Sequence, residues 1–239
     1  MCSLKMKIGI VAIPDLPPGK HNIKDHRLDE VDNLVKAKKK TYVQVELVGQ
    51  DAALEADAIL VLSDSRLDLI LKDLEFVETR LSRTEEEKEK MLLNKLKLIL
   101  EKEELIFNAG LSPEEKQAIA GFGLLTNKPI TVAEKQELND LDNLLARVLK
   151  ESGFISFFTT TGGNETRAWL IRQGTTAWEA AGLIHSDIQR GFIRAEIISF
   201  ADFIQAGGET GAKQQGKLHL EQKHYVIQDA DLVNFRFNK

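Results

Sequence analysis

The chain has 239 residues, a formal net charge of −5 and an isoelectric point near 5.7. Hydrophobic residues make up 43% and charged residues 29%, which excludes a disordered chain and a uniformly basic nucleic-acid binder. Because Cys2 is the only cysteine, an internal disulfide and a cysteine-ligated metal site are excluded, and we expect a cytoplasmic protein. The apolar runs are too short to span a bilayer, so we expect no membrane partner.

Apolar runs predict a small α/β layer in the first part of the chain. The run after Met6 is continuous and is closed by Pro14, a pattern typical of a buried parallel strand that feeds a loop. A leucine- and valine-rich face over residues 138–149 predicts a helix. The strands predicted for this layer are residues 7–13, 43–48, 56–62 and 129–133.

Between the third and fourth strands the spacing of apolar residues changes from two to three and four. Residues 67–81 and 91–100 both follow this helical period, with a polar stretch between them. We therefore predict two helices folded back as an antiparallel hairpin, with an N-cap at residue 64 or 65. Ser112 followed by Pro113 predicts the start of a shorter helix, because proline suits the first helical position.

From residue 154 onward, short strands and short helices alternate. A mixed sheet wrapped around a short helix accommodates this order. The predicted strands are residues 167–171, 192–198, 217–220, 225–227 and 232–237, and the predicted helices are residues 176–184 and 201–206.

Long motifs in this last part resemble a known family. Residues 180–196, AAGLIHSDIQRGFIRAE, together with residues 174–177 and 200–208, closely resemble the C-terminal TGS domain of the YchF-type Obg-like ATPases. Residues 68–83 resemble the start of the helical coiled-coil insertion of that family, and residues 111–119 resemble its exit. The resemblance implies a β-grasp, ubiquitin-like fold for the TGS domain.

The fold class expected from these observations is α/β plus α+β. We predict a reduced P-loop-like α/β domain formed by residues 1–65 and 121–153. An antiparallel helical hairpin insertion occupies residues 66–120, and the β-grasp TGS domain occupies residues 154–239.

The loop after the first strand departs from the family pattern. In the family, backbone amides and a lysine of this loop wrap phosphates, and a hydroxyl side chain ligates Mg²⁺. Gly19 and Lys20 are retained here, but Pro14 stands at the position of the first glycine and His21 at that of the hydroxyl residue. Two consecutive prolines before Gly19 remove further donors. The sequence therefore predicts an abolished or badly weakened phosphate site.

Other nucleotide-contacting parts of the family are also altered. Only a few residues separate His21 from Asp25, which leaves no room for the family's next helix and first switch segment, and the second switch is missing as well. The family's adenine-reading Asn-x-x-Glu appears as residues 134–137, with glutamate replacing the amide. Residual nucleotide contacts would fall on Gly19, Lys20, Glu134 and Glu137. We expect no catalytic residue, metal site or cofactor, with Mg-ATP as the alternative.

Basic residues of the TGS domain form a candidate RNA- or partner-binding face. They could share that face with Trp178, Phe192 or Tyr225, which would stack on bases. Acidic residues of the same domain roughly balance them, and the aromatic side chains could instead fill the core. The six basic candidates are Arg190, Arg194, Lys213, Lys217, Lys223 and Arg236.

Three hypotheses about function follow. The leading one is a non-hydrolysing relative of the YchF-type ATPases, acting as a translation-associated binding or regulatory module that contacts ribosome, RNA or a translation-associated protein. The second is a residual ATP-binding protein or weak ATPase with an altered phosphate loop. The third is a structural protein that dimerises or sequesters a partner.

Overall fold

The computed structural model describes residues 6–238, so Cys2 lies outside the described residues. The chain divides into two compact units. The first unit consists of residues 6–20 and 46–152, and the second consists of residues 21–45 and 153–238. Residues 21–45, which the sequence analysis assigned to the first domain, thus group with the C-terminal residues.

The elements, numbered along the chain, have these bounds. The strands are β1 Met6–Val11, β2 Gly19–Ile23, β3 Lys39–Thr41, β4 Val43–Val48, β5 Ala58–Leu62, β6 Ile130–Ala133, β7 Phe154–Thr160, β8 Glu165–Arg172, β9 Phe192–Ile198, β10 His219–Glu221 and β11 Leu232–Phe237. The helices are α1 His26–Val35, α2 Arg66–Leu81, α3 Glu87–Glu101, α4 Pro113–Ile119, α5 Leu141–Glu151, α6 Ala177–Ile184, α7 Ser186–Arg190, α8 Phe200–Gln205 and α9 Glu209–Gln214. None of these helices has the length and apolarity that a membrane span requires.

Three parallel strands form the centre of the first unit. The sheet order is β2-β4-β1-β5-β6, and β5 pairs in parallel with both β1 and β6. Val11 lies opposite Val61, which lies opposite Val132, so the carboxyl ends of the three strands share one edge. The side chains of β5 are buried from Ala58 to Val61, as expected for a strand covered on both faces.

The two predicted helices between β5 and β6 are present as α2 and α3. Val77, Leu93, Leu96 and Leu100 are almost fully buried in the core that the two helices share. The start of α4 is also as predicted. The Ser112 hydroxyl accepts a hydrogen bond from the Glu115 amide, the Glu115 carboxylate accepts one from the Ser112 amide, and Pro113 is the first helical residue.

A buried carboxylate attaches α2 to the segment that precedes β6. Asp73 is 4% exposed and accepts hydrogen bonds from the Thr126 amide and the Thr126 hydroxyl, each at 2.7 Å. The amide of Leu125 donates a third, longer bond at 3.3 Å. Burial raises the pKa of Asp73, and the hydrogen bonds from Thr126 and Leu125 partly oppose this shift.

The second unit is built on a mixed six-stranded sheet. Its order is β10-β9-β11-β7-β8-β3, and α6 packs on one face. Three alanines of α6, at positions 177, 180 and 181, are fully buried and let the helix backbone approach the sheet. Phe157 and Ile171 lie beneath them, and the Phe157 ring stacks on Trp169 with the centroids 6.4 Å apart.

Residues 21–45 complete this second unit. β3 extends the sheet by pairing in parallel with β8, with Lys39 opposite Glu165. α1 packs against β8 and α8, and its Leu28 and Val31 are fully buried. Arg27 is held between two carboxylates, because its guanidinium contacts Asp25 at 2.8 Å and Asp229 at 2.6 Å.

Some sequence-based expectations differ from the structure. Residues 225–227 do not form a strand, since Val226 makes only an isolated bridge to Thr176. The strand expected at residues 217–220 runs from His219 to Glu221. The elements that were not predicted are β2, β3, β7, α1, α7 and α9. β2 and β3 are short and polar, so they lack the apolar alternation by which strands are recognised.

Candidate functional site

The shared carboxyl edge of β1, β5 and β6 brings three loops together. Ligands of open α/β sheets bind at this edge, so it is the expected place for a nucleotide. Ser63 follows β5 and donates a 3.0 Å hydrogen bond to the carboxylate of Glu134, which follows β6. The edge therefore carries the predicted residue Glu134 next to the loop that follows β1.

The loop after β1 offers few backbone donors to an anion. The Leu16 amide donates to the Ile13 carbonyl at 3.2 Å, which closes a turn that contains Pro14. Pro14, Pro17 and Pro18 have no amide hydrogen. A phosphate nest requires successive N–H groups pointing into one concavity, and the three prolines interrupt the run of amides in this loop.

The second half of the loop leads into a strand. Pro18 packs beside Gly49, where a Cβ would lie 3.7 Å from the proline ring. Gly19, with φ +148°, and Lys20 then open β2 at the far side of the sheet from β6. Four strand spacings correspond to about 19 Å, so Lys20 and Glu134 belong to opposite margins of the sheet.

Glu137 has structural partners. Its carboxylate accepts a 2.8 Å hydrogen bond from the Glu134 amide and pairs with Arg147 of α5 at 2.8 and 3.0 Å. The same guanidinium donates to the Val132 carbonyl at 3.1 Å. Through Arg147, Glu137 links α5 to the end of β6. A nucleobase bound to Glu137 would have to compete with Arg147 for the carboxylate oxygens of Glu137.

An open groove of about 430 Å³ lies along the same edge. Lys135 is the cation of its lining and Asp15 the anion, so the groove presents no concentrated positive charge to a polyphosphate. Its lining residues are Asp15, Leu16, Lys135, Gln136, Leu138 and Asn139. Among residues 6–238, no cluster of three or more histidine, cysteine or acidic side chains is placed to hold a metal ion.

Four of the six basic candidates in the second unit are held in ion pairs. Their partners are acidic side chains of the same unit, so little of their charge is available to a polyanion. The pairs are Arg190 with Asp187, Lys213 with Glu209, Lys217 with Asp202, and Arg236 with Glu196.

Arg194 is the basic candidate on the sheet whose guanidinium is not in an ion pair with a described residue. It lies directly opposite Arg236 on the neighbouring strand, and Glu196 offsets this like-charge contact by pairing with Arg236 at 2.9 Å. Burial opposes ionisation of Glu196, but the hydrogen bonds from Arg236 and Asn234 lower its pKa overall. Arg194 is exposed and has no acidic partner among the residues described.

Lys223 belongs to a different part of the second unit. Its carbonyl accepts a hydrogen bond from the Trp178 amide at 3.2 Å, at the start of α6. Trp178 is 45% exposed, whereas Phe192 packs on Phe235 and Tyr225 donates its hydroxyl to buried Asp231. Of the three aromatic candidates, Trp178 is the one whose ring is available for stacking.

The sequence analysis did not identify a side-chain cluster at the turn between α2 and α3. Arg80 lies over the Phe122 ring at 4.3 Å from its centroid, and Phe76 contacts the same ring at 6.0 Å between centroids. Glu89 pairs with Arg80 at 2.6 Å and accepts a hydrogen bond from Thr84. The available signal was the i,i+4 spacing of Phe76 and Arg80 on one helix face.

These two mixed sheets with their packed helices define a mixed α/β protein. The family model YchF-GTPase_C, described as a protein of unknown function (DUF933), matches residues 154–238. The ribosome-binding ATPase YchF of Bacillus subtilis is 32% identical over 249 residues, covering 77% of this chain and 68% of that protein. The chain belongs to the YchF family.

Other relatives agree with this assignment. The ribosome-binding ATPase YchF of Haemophilus influenzae is 33% identical over 62% of this chain and 55% of its own length. Obg-like ATPase 1 of Danio rerio is 41% identical over 44% of this chain and 28% of its own length. The chain therefore spans between about a quarter and two thirds of these curated relatives.

A solved structure supports the fold. The YchF GTPase of Schizosaccharomyces pombe superposes with a TM-score of 0.75 at 18% identity, covering 97% of both chains. At that identity the similarity concerns the fold alone.

Proposed function

We propose that this chain is a non-hydrolysing member of the YchF family that acts as a translation-associated binding or regulatory module in the cytoplasm. The observation that carries the proposal is the path of residues 12–20. In this loop the Leu16 amide donates a hydrogen bond to the Ile13 carbonyl, three positions are proline, and the lysine that follows, Lys20, lies in β2. A phosphate-binding loop instead delivers its lysine to the start of a helix, where amides and the helix dipole favour the anion.

The proposed partner is the ribosome, as the names of the bacterial relatives say of those proteins. Exposed, unpaired cations of the second unit supply the contact to RNA phosphate in this proposal. Arg194 provides one such charge on β9, and Lys223 provides another beside the exposed ring of Trp178. We further propose that the helix pair α2–α3 contributes to docking.

Co-sedimentation with purified 70S ribosomes tests this function, together with an ATPase assay on the same preparation. We expect binding at moderate salt without added nucleotide, weakening as salt rises because phosphate contacts release counterions. We expect no ATP hydrolysis above the buffer background. Failure to sediment in the presence and absence of Mg-ATP, or turnover that Lys20→Ala abolishes, would contradict the proposal.

A residual ATP-binding activity is the second candidate, and the groove beside Asp15 and Lys135 is the observation that favours it. In this alternative, Gly19, Lys20, Glu134 and Glu137 contact the nucleotide. Calorimetry with Mg-ATP separates the candidates, because a useful site gives a micromolar dissociation constant that Lys20→Ala weakens. Lys128→Ala is unsuitable as a control, since Lys128 donates to the Ala56 carbonyl; Lys116→Ala on exposed α4 is the matched change.

A further inference from the structure

A cavity at the turn between α2 and α3 has the features of a side-chain receptor. Its volume is about 400 Å³. One wall is formed by the last turns of α2, with lining residues at i, i+3 and i+4, and by Arg83 in the turn that follows, and the opposite wall includes the start of α3. The lining residues are Phe76, Thr79, Arg80, Arg83, Thr84 and Glu89.

The walls of this cavity are fixed by contacts inside the first unit. Arg80 is held by the Phe122 ring beneath it and by the Glu89 carboxylate at 2.6 Å. Thr84 donates its hydroxyl to the second oxygen of Glu89. Hydrogen bonds from Thr84 and Arg80 lower the pKa of Glu89, which keeps it ionised. Arg80, Thr84 and Glu89 are therefore preorganised, and a guest does not have to order these three side chains.

The charge of the cavity comes from Arg83. Because Arg80 and Glu89 neutralise each other, Arg83 is the lining cation that has no acidic partner among the described residues. A guanidinium recognises a carboxylate through two parallel hydrogen bonds. Phe76, 38% exposed, adds an apolar surface beside it. One carboxylate carried on an aliphatic stem, as in glutamate, matches this combination.

The rim of the cavity carries the opposite charge. Glu85 and Glu86 follow Thr84 in the turn, are exposed and have no cationic partner among the residues that the structure describes. An RNA strand presents phosphate on all of its outer surface and would be repelled there. A protein segment can place lysines opposite Glu85 and Glu86 while it inserts a single acidic side chain toward Arg83.

We propose that this cavity is a docking site for a protein segment that inserts one carboxylate side chain flanked by basic residues. In this proposal α2 and α3 bind a protein partner, and the unpaired cations of the second unit, Arg194 and Lys223, bind RNA. This inference deepens the proposed function, because it names the chemistry of the contact made by α2 and α3. It is testable without ribosomes, so its failure and that of ribosome binding are separate results.

The test uses the full chain and fluorescein-labelled peptides, with binding followed by anisotropy. The probe is a short lysine-flanked peptide with one central glutamate. Its controls carry a central glutamine, or serines in place of the lysines, and a labelled oligouridylate represents RNA. We expect the glutamate peptide to bind about tenfold more tightly than the glutamine peptide, the difference made by one charge-assisted contact.

Variants assign the effect to the cavity. Arg83→Gln removes the preference for glutamate, Arg83→Lys retains part of it, and Lys88→Gln, an exposed change outside the lining, leaves it intact. Far-ultraviolet circular dichroism shows whether each variant keeps its helices. The proposal is overturned if no peptide binds, if glutamate and glutamine peptides bind equally, or if the oligouridylate binds more tightly than the peptide in an Arg83-dependent manner.

Discussion

Asp73 and Thr126 form a buried contact in which one carboxylate oxygen accepts both the amide and the hydroxyl hydrogen of the threonine, each at 2.7 Å. The two residues are 53 positions apart, and the contact joins the helix pair to the segment that leads into β6. Since neither group reaches water, each depends on the other for its hydrogen bonds. The anchoring of α2 and α3 can therefore be tested by single substitutions.

Asp73→Asn is expected to lower the free energy of unfolding by about 2 kcal/mol, because a side-chain amide cannot accept all three bonds and buries unpaired N–H groups. Urea unfolding followed by circular dichroism measures this loss. Glu75→Gln, at an exposed position of the same helix, is the matched control and is expected to change stability by less than about 0.5 kcal/mol. Equal effects of the two changes would refute the anchoring role.

The raised pKa of Asp73 also predicts a pH dependence. The folded state binds a proton to Asp73 more readily than the unfolded state, whose carboxyl keeps a pKa near 3.8. Its contribution to stability is therefore complete below that value and is lost as pH rises through the folded pKa. The stability advantage of the wild type over Asp73→Asn should shrink as the pH rises above the unfolded-state pKa of Asp73. An advantage that grows with pH would contradict this assignment.

Arg27→Met is expected to destabilise the second unit by about 3 kcal/mol, because Asp25 and Asp229 lose a shared, partly buried cation. Both tryptophans, Trp169 and Trp178, lie in this unit, so intrinsic fluorescence reports its unfolding. Arg194→Met removes an unpaired, exposed guanidinium and is the control. An equal shift of the unfolding midpoint in the two variants, followed by fluorescence, would show that the contacts of Arg27 with Asp25 and Asp229 do not stabilise this unit.

Replacing the loop prolines is expected to leave nucleotide binding unrestored. A Pro14→Gly, Pro17→Ala, Pro18→Gly variant regains amide donors, but Lys20 still lies in β2 and no helix begins after it. Calorimetry with Mg-ATP should therefore give no micromolar binding in this variant. Micromolar binding would show that the prolines alone suppress the site, and it would favour the residual ATP-binding alternative.

Removing a basic side chain of the second unit should weaken ribosome binding more when that side chain is unpaired than when it is held in an ion pair. Arg194→Gln is expected to weaken ribosome binding severalfold and to reduce its salt dependence, because a free guanidinium contributes a whole phosphate contact. Lys213→Gln should have a smaller effect, since Lys213 is already paired with Glu209. Co-sedimentation across a salt series measures both, and a larger loss in Lys213→Gln would contradict the ranking.

The sequence predicted several of the elements in which burial leaves a regular apolar pattern, although the largely buried β7 was not predicted. β1 and β5 were visible as continuous apolar runs, and α2 and α3 as apolar residues at helical spacing, because both faces or one face of each is buried. The cap at Ser112 was visible because its hydrogen bonds are local. Such features depend on neighbours within a few residues.

Contacts between residues that are far apart in the sequence could not be predicted in the same way. The pairing of Arg27 with Asp229 spans 202 positions, and nothing in either local sequence indicates the other. Contact of Lys20, Glu134 and Glu137 with one nucleotide would require the three residues to lie close together, whereas Lys20 lies in β2, at the opposite margin of the sheet from β6. Among the paired basic candidates, Arg236 meets Glu196 only in the folded sheet, whereas Lys213 and Glu209 are four positions apart on one helix.

The grouping of residues 21–45 with residues 153–238 has a consequence for the order of events during synthesis. A ribosome releases α1 well before the strands that bury Leu28 and Val31 exist. A free helix of ten residues is marginal in water, so α1 gains its stability late. The first unit can fold while translation continues, but α1 becomes buried only after its packing partners β8 and α8 have been synthesised.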